Sequence, residues 1–545
     1  MNLRRALLTT AVHADALRLD PQAFLLAMWW RLLGKKLRSR MVLSPLLARS
    51  PRAYRLWLAR QEGNHTAVGS HPPEAIAIMG LVEGGEGAVE TRDSLELEGI
   101  EAHIVAAGTV PAPADLGIEP SAATWFLPVA AGDRLARGAG AIYRAAAARA
   151  HSHARIIYAD DDLIDSAGHR REPHFKPDWN SELFKHFDFV SGSSLIRLAP
   201  SEFGALEASD WLSLLVRSAV ELCKDEDATP AHIRKILHHR QMRPPPHRPV
   251  WQPSAVGNET ALPSICVIIP TRDRLDLLRT CLDGLAQTNY PGELEIAIID
   301  NGSSEPETLD FLAKIEDREV KVLRYPGPFN FSDLNNRAVA ETRSELLCFL
   351  NNDIEIVDPD WLSILVAQAQ RPDVGAVGPA LLYPDGRLQH AGVVIGIGGG
   401  AAHAHRLLHP DDAGYFHRHA LPQYVSAVTA ACLVVKRDKF LEVGGFDAEN
   451  FAVAFNDVDL CLKLNARGWK SYYDPRATLI HHESLSRGLD RDPVGAARFA
   501  GELAALKSRW GTGGSKGDIA AAGEAVDAFH HPCLSPFSEQ FILRF

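Results

Sequence analysis

The second half of this 545-residue sequence predicts an α/β fold: a mostly parallel sheet with helices on both faces. Three observations carry the prediction. Apolar runs of strand length alternate with stretches of helical spacing, the strand runs are almost continuously apolar, and polar turn-forming residues follow successive strands. Continuous apolar strands belong to a sheet covered on both sides, and such sheets bind ligands at the carboxyl ends of their strands.

The elements follow in order. Ile265 to Ile269 reads as a first strand, Leu275 to Gln287 as a helix, Leu294 to Ile299 and Val320 to Tyr325 as strands. A helix over Ser332 to Thr342, a strand over Leu346 to Leu350, a helix over Trp361 to Gln370 and a short strand over Val374 to Val377 complete the series. The turns are Pro270-Thr271-Arg272-Asp273 after the first strand, Asp300-Asn301-Gly302-Ser303-Ser304 after the second, and Asn351-Asn352-Asp353 after the strand at 346.

The length implies two or three domains. With 46% hydrophobic and 23% charged residues, the composition is that of a folded globular protein. A formal net charge of -11 argues against a nucleic-acid partner, which calls for a basic face. The seven cysteines are scattered without paired spacing, so they read as reduced thiols of a cytoplasmic protein and not as disulfides or a zinc site. No apolar run reaches the roughly 18 to 20 residues of a membrane span, and the run after Met1-Asn2-Leu3-Arg4-Arg5 is too short for a secretory signal. Residues 24 to 41 place Phe24, Leu25, Met28, Trp29, Leu32 and Leu33 on one helical face beside Arg31, Lys35, Lys36, Arg38 and Arg40. That pattern fits a helix lying on an anionic membrane surface and equally a helix packed on the next domain.

The proline run Arg243 to Pro249 marks an extended linker and a boundary near 250 to 262. The expected organisation is a helical segment at 1–64, a domain at 65–250, a linker at 251–262, a catalytic domain at 263–511 and a tail at 512–545. The first half reads as a worn copy of the second. Phe187 to Arg197 parallels Gln423 to Lys436, Ser209-Asp210-Trp211 echoes Asn456-Asp457-Val458, and Ile236-Leu237-His238-His239 echoes Leu479-Ile480-His481-His482. The copy has lost its polar turns: none follows the expected strand Ala75 to Met79, Ala107-Gly108-Thr109 stands where an acidic residue belongs, and Ala130-Ala131-Gly132 precedes Asp133. It reads as a structural or acceptor-handling domain.

Several residues suit sugar transfer from a nucleotide diphosphate. Asp300 at a strand end can accept from the imide N–H of a uracil or thymine ring, and Asn301-Gly302-Ser303 brings backbone close. A strand-ending turn is the plain alternative. Asn351-Asn352-Asp353 offers oxygen ligands suited to Mg²⁺ or Mn²⁺. Asp457 and Asp459 open a helix; a cap needs one acid, whereas a general base could be either. His481 and His482 end a strand and could complete a metal shell or hold a diphosphate. Gly396-Ile397-Gly398-Gly399-Gly400 reads as a mobile loop and not a dinucleotide fingerprint, with His403, His405 and Arg406 toward an acceptor.

Taken together, Val267 to Arg274, Ile299 to Ser303, Phe329 to Ser332, Phe349 to Asp353, Asp385 to Gly392, Asn456 to Leu460 and His481 to Ser484 resemble family 2 glycosyltransferases of the GT-A fold. The likeness is to the rhamnosyltransferase-like and O-antigen biosynthesis members and covers about 263 to 511. It implies that Pro270, Thr271 and Asp300, with Asn301, Gly302 and Asn352, hold the nucleotide sugar, and that Asn351 and Asp353 stand at the metal-binding acidic motif. It makes Asp457 the base and His481 or His482 a metal or diphosphate contact. Asn351 departs from the commoner aspartate. Tyr158 to Asp165 and Phe175 to Trp179 resemble the first domain of tandem proteins in this group.

The expected activity is inverting transfer from a UDP- or dTDP-sugar to a growing polysaccharide or lipid-linked glycan, aided by a divalent metal. A nucleotidyltransferase would need a glycine-rich, lysine-bearing phosphate loop after the first strand, where Pro270-Thr271-Arg272-Asp273 stands instead. A non-catalytic glycan-binding or assembly component is the remaining alternative, and Asp300, Asp353 and Asp457 weigh against it.

Overall fold

A computed structural model describes residues 3–61, 76–106, 124–150, 153–199, 202, 210–223, 228–250, 262–316, 320–483, 493–512 and 527–545. The chain divides into two compact units. Met1–Pro246 with Cys533–Ser535 and Ile542–Phe545 form the first, and His247–Pro532 with Pro536–Phe541 the second. The division falls inside the proline run; most of the expected linker, 251–261, lies outside the described residues, as do Ala107-Gly108-Thr109, Ser209, Ser484 and 513–526.

The first unit opens with helices α1 (Leu3–Leu19), α2 (Pro21–Leu32), α3 (Lys36–Ala48) and α4 (Ala53–Gln61). Residues 24 to 41 therefore do not form one helix: Gly34 takes φ 74°, and that left-handed residue ends α2. Phe24 turns inward on Val12, Ala16 and Ala27, while Leu25, Trp29 and Leu32 stay 61, 57 and 80% exposed. Then come β1 (Ile78–Glu83), α5 (Ala88–Leu97), β2 (Glu101–Val105), β3 (Thr124–Val129), β4 (Arg134–Leu135), α6 (Ala139–Arg149), β5 (Ile156–Ile164) and β6 (Arg170–His174). Helix α7 (Ser181–His186), β7 (Ser194–Leu198), α8 (Trp211–Glu221) and β8 (Ala231–Arg240) follow. The first strand starts three residues later than the sequence predicts, and Ala75 is not among the described residues.

The second unit begins with β9 (Ile265–Thr271), α9 (Leu275–Ala286), β10 (Leu294–Asp300), α10 (Pro306–Glu316), β11 (Lys321–Arg324), α11 (Phe331–Glu341) and β12 (Leu346–Leu350). It continues with β13 (Ile354–Ile356), α12 (Trp361–Ala369), β14 (Val374–Leu382), β15 (Leu388–His390), β16 (Val393–Ile395), β17 (Ala401–His403), β18 (Gln423–Val425) and β19 (Cys432–Lys436). Helices α13 (Arg437–Glu442) and α14 (Asn456–Ala466), strand β20 (Lys470–His481) and helix α15 (Pro493–Trp510) complete it. Every predicted element before β14 forms within a few residues of its expected ends, and β14, expected to stop at Val377, runs on to Leu382. The glycine run expected as a loop is the tight connection of the β16–β17 hairpin.

Period-two alternation explains the layers. Ile265, Val267 and Ile269 of β9 enter one core with α9, α10 and α12; Cys266 and Ile268 enter the other with α11, α13, α14 and α15. Both faces are covered, as continuous apolar strands require. Strands β11, β10, β9 and β12 run parallel, and beyond them β19 is antiparallel to both β12 and β14. All seven cysteines are free thiols, five of them buried. No helix among the described residues is long and apolar enough to cross a membrane.

The two sheets share one topology. The first runs β2-β1-β3-β7-β5-β8-β4 with β6 on β5; the second, inside its edge strand β11, runs β10-β9-β12-β19-β14-β20-β13 with β15 on β14, and adds β18 on β20. Matched pairs share their direction: β3–β7 and β12–β19 are antiparallel, β5–β8 and β14–β20 parallel, β4–β8 and β13–β20 antiparallel. Asp133, directly before β4, stands where Asp353 stands before β13. Since Arg134 pairs with His239 as Ile354 pairs with His481, the histidine echo is displaced by one: His239 matches His481, and Arg240 matches His482.

Candidate active site

The site begins where β9, β10 and β12 end. Thr271 lies opposite Asp300 in the ladder, and Pro270 opposite Ile299. Asp300 accepts from the Ser303 N–H at 2.8 Å, closing the turn in which Gly302 takes φ 81°. Asn301 donates from its amide to the Tyr325 carbonyl at 2.9 Å, so its side chain ties down the following loop. Asn352 donates to Thr271 Oγ1 at 3.1 Å, bridging two strand ends. Asp300, Thr271 and Asn352 are all buried.

Asp353 and His481 meet across the β13–β20 ladder, with His481 Nε2 3.1 Å from Asp353 Oδ1. The Asn351 amide approaches the same nitrogen at 3.4 Å. The His482 side chain points to the other face, as alternation demands, and bonds Glu355 at 2.8 Å, so only its backbone N–H reaches Asp353, donating to that residue's carbonyl at 2.9 Å. On its far side His481 Nδ1 is 2.7 Å from Gln389 Oε1, and Gln389 Nε2 donates to Glu483 at 3.0 Å. With its nitrogen given to Glu483, the Gln389 amide turns its oxygen to Nδ1; a proton held there would leave Nε2 a lone pair facing a carboxylate. In that tautomer the two acceptors would call for positive charge between or beside them, from a second imidazole proton or a cation. One carboxylate, one imidazole and one amide form a donor set that fits a divalent metal ion.

Asp457 is half-buried in the first turn of α14 but is not its cap. Phe455 holds that place with φ 60°, a strained conformation for an aromatic residue. The Ala430 N–H donates to Asp457 Oδ2 at 3.1 Å, and the Asn351 N–H donates to the carbonyl of the next residue, Ala431, at 2.9 Å. One dipeptide thus ties Asp457 to the Asn351-Asn352-Asp353 turn. Asp459 faces inward, fully buried, and accepts from Arg509 at 2.8 Å and Trp510 at 3.0 Å, with Lys463 at 3.1 Å.

Of the residues expected toward an acceptor, His403 bonds His390 Nδ1 to Nδ1 at 2.9 Å and feels the charges of Asp457 and Glu483. His405 instead stacks on Phe541 at 4.5 Å, and Arg406 donates to Tyr383 at 2.7 Å. Gln389 and Glu483 lie inside stretches that carry the family resemblance, yet no role for either is legible there, because the bond that joins them spans 94 residues. Glu502 was also missed: buried on α15, it accepts from the Val453 and Ala454 N–H groups at 2.9 and 3.1 Å, bracing the approach to Asp457.

In the first unit His239, the match of His481, bonds Asp162 at 2.6 Å, and the aspartate that matches Asp353 faces internal cations instead. Arg240 Nε lies 3.5 Å from Asp133, Lys176 lies 2.9 Å from Asp161, and all four side chains are buried. Burial pushes the Asp133 carboxyl up to about 6 against the pull of Arg240.

Residues 266–442 match the family described as Glycosyl transferase family 2. The chain is 40% identical over 405 residues to an uncharacterized protein, y4gI, of Sinorhizobium fredii, covering 67% of this chain and 44% of that one. It is 37% identical over 375 residues to the O-antigen biosynthesis protein RfbC of Myxococcus xanthus, covering 62% and 29%. It is also 34% identical over 142 residues to an N-acetylglucosaminyl-diphospho-decaprenol L-rhamnosyltransferase of Mycobacterium tuberculosis, covering 24% and 44%. The second unit carries a glycosyl transferase family 2 domain. The chain spans less than half the length of each of these relatives.

Proposed function

We propose that the chain is an inverting glycosyltransferase that moves a sugar from a UDP- or dTDP-linked donor to a growing cell-surface polysaccharide or lipid-linked glycan. The observation that carries this reading is the linkage of Asp457, through Ala430-Ala431, to the turn whose Asp353 meets His481. Asp300 and Thr271 hold the nucleoside end, with Pro270, Gly302 and Asn352 shaping that wall and Asn301 fixing the loop beside it. Asp353, His481 and Asn351 would hold Mg²⁺ or Mn²⁺, which when bound offsets charge on a departing diphosphate. Asp457 takes the proton of the acceptor hydroxyl as its oxygen bonds the anomeric carbon; the bond to the diphosphate breaks on the opposite face, its electron pair leaving with the diphosphate. Asp459 anchors α15 and stays out of the chemistry.

The first unit serves as a structural or acceptor-handling domain, because Asp133, the match of Asp353, lies beside an internal arginine, and His239, the match of His481, bonds Asp162 instead. The exposed Leu25, Trp29 and Leu32 beside Arg31, Lys35 and Lys36 support peripheral contact with an anionic membrane, on the cytoplasmic side. The test is a thermal-shift screen of UDP- and dTDP-sugars with and without Mn²⁺, followed by donor hydrolysis without acceptor. Metal-dependent stabilisation by one donor class and slow hydrolysis are the expected results. No stabilisation and no hydrolysis with any donor would leave a glycan-binding component.

A further inference from the structure

We infer that Gln389, oriented by Glu483, is a positioning residue that holds the His481 proton on Nδ1 and so presents the Nε2 lone pair to a cation beside Asp353. The inference rests on the proposed cation site and adds the device that readies it. Gln389 is buried at 2% exposure on β15, and its two amide atoms are both committed, the oxygen to His481 and the nitrogen to Glu483. Turning the amide over would set its oxygen against the Glu483 carboxylate and its N–H₂ against the imidazole N–H, losing both bonds. Glu483 therefore selects the amide orientation, the amide selects the imidazole tautomer, and the tautomer decides whether Nε2 can bind a metal. A histidine ligand whose other nitrogen donates to an oxygen has its ring fixed and its basicity raised. The strand β15 supplies this contact through its place on β14.

The experiment is a Mn²⁺ titration of the full chain without nucleotide, reading free Mn²⁺ by electron paramagnetic resonance, with melting curves confirming that each variant is folded. Gln389→Leu is expected to weaken Mn²⁺ binding about ten- to hundredfold, the range seen when an outer partner of a metal ligand is removed. The double variant Gln389→Leu with His481→Ala should bind no more weakly than His481→Ala alone, because the glutamine acts only through the histidine. The reciprocal exchange, Gln389→Glu together with Glu483→Gln, rebuilds an acceptor for Nδ1–H and a donor for that acceptor, and should restore binding. Unchanged Mn²⁺ affinity in Gln389→Leu, or additive losses in the double variant, overturns the inference while leaving the cation site intact. Should Gln389→Leu not fold, a folded exchange variant that has lost Mn²⁺ affinity overturns it. Mn²⁺ binding that survives Asp353→Ala unchanged overturns the cation site itself, and this inference with it.

Discussion

His481 Nε2 lies 3.1 Å from Asp353 Oδ1, although 128 residues separate the two in sequence. Their meeting follows from the antiparallel pairing of Ile354 with His481 at the edge of the second sheet. Asp353→Ala is accordingly expected to weaken donor binding and to abolish the effect of added Mn²⁺ or Mg²⁺ in donor titrations. A variant that keeps its metal dependence would show that the cation sits elsewhere.

The two acids of α14 have different surroundings and should fail differently. Asp457→Asn preserves shape and donor binding, and turnover should fall by about a hundredfold or more, as for the loss of a positioned base. Asp459→Asn removes the charge that Arg509, Trp510 and Lys463 share. Its cost should appear as about 1.5–3 kcal/mol of unfolding free energy, with turnover per folded molecule retained. If Asp459→Asn is folded but dead while Asp457→Asn turns over normally, the base lies two residues along.

Acid should loosen the second unit. Burial lowers the pKa of His390, His403 and His405 below the ordinary 6.5. Below that value the unfolded chain takes up protons that the folded chain refuses, so the stability these groups contribute is present above about pH 6.5 and is lost as pH falls beneath it. The melting temperature should drop between pH 7 and 5. His405→Phe, which keeps the stack on Phe541, should flatten that dependence by one proton's worth, up to about 1.4 kcal/mol per pH unit. A melting temperature flat across this range would contradict the argument.

Donor titration of the full chain should saturate at one nucleotide sugar per molecule. Arg240 beside Asp133 already supplies positive charge where the first unit would otherwise need a metal ion. Calorimetry giving two sites, or donor binding that persists when Asp300→Ala and Asp353→Ala are combined, would show that the first unit still takes a donor.

Much of the second unit was legible because local signals and tertiary demand agree there. The strands around Ile268, Ile298 and Cys348 are apolar on both faces because both are covered, and the polar turns at Asp300 and Asn351 fall where those strands end. The break at Gly34 was not read, since one left-handed glycine overrides a helical spacing that looks continuous on either side. Helix α10 was not predicted, although Pro306 stands at its start.

By itself the sequence determined the order of strands and turns, the loss of polar turns in the first half, and the acids and histidines available for chemistry. These follow from short-range periodicity and residue type. Only the tertiary structure decided between members of each pair: His481 over His482 beside Asp353, Asp459 over Asp457 as the anchor of α15, Arg240 in place of a second histidine. The physical reason is that neighbouring residues on a strand point to opposite faces, and residues two apart on a helix lie well around its axis. Which face meets Gln389, Asp353 or Arg509 is set by strand pairing and helix packing across 50 to 128 residues of chain.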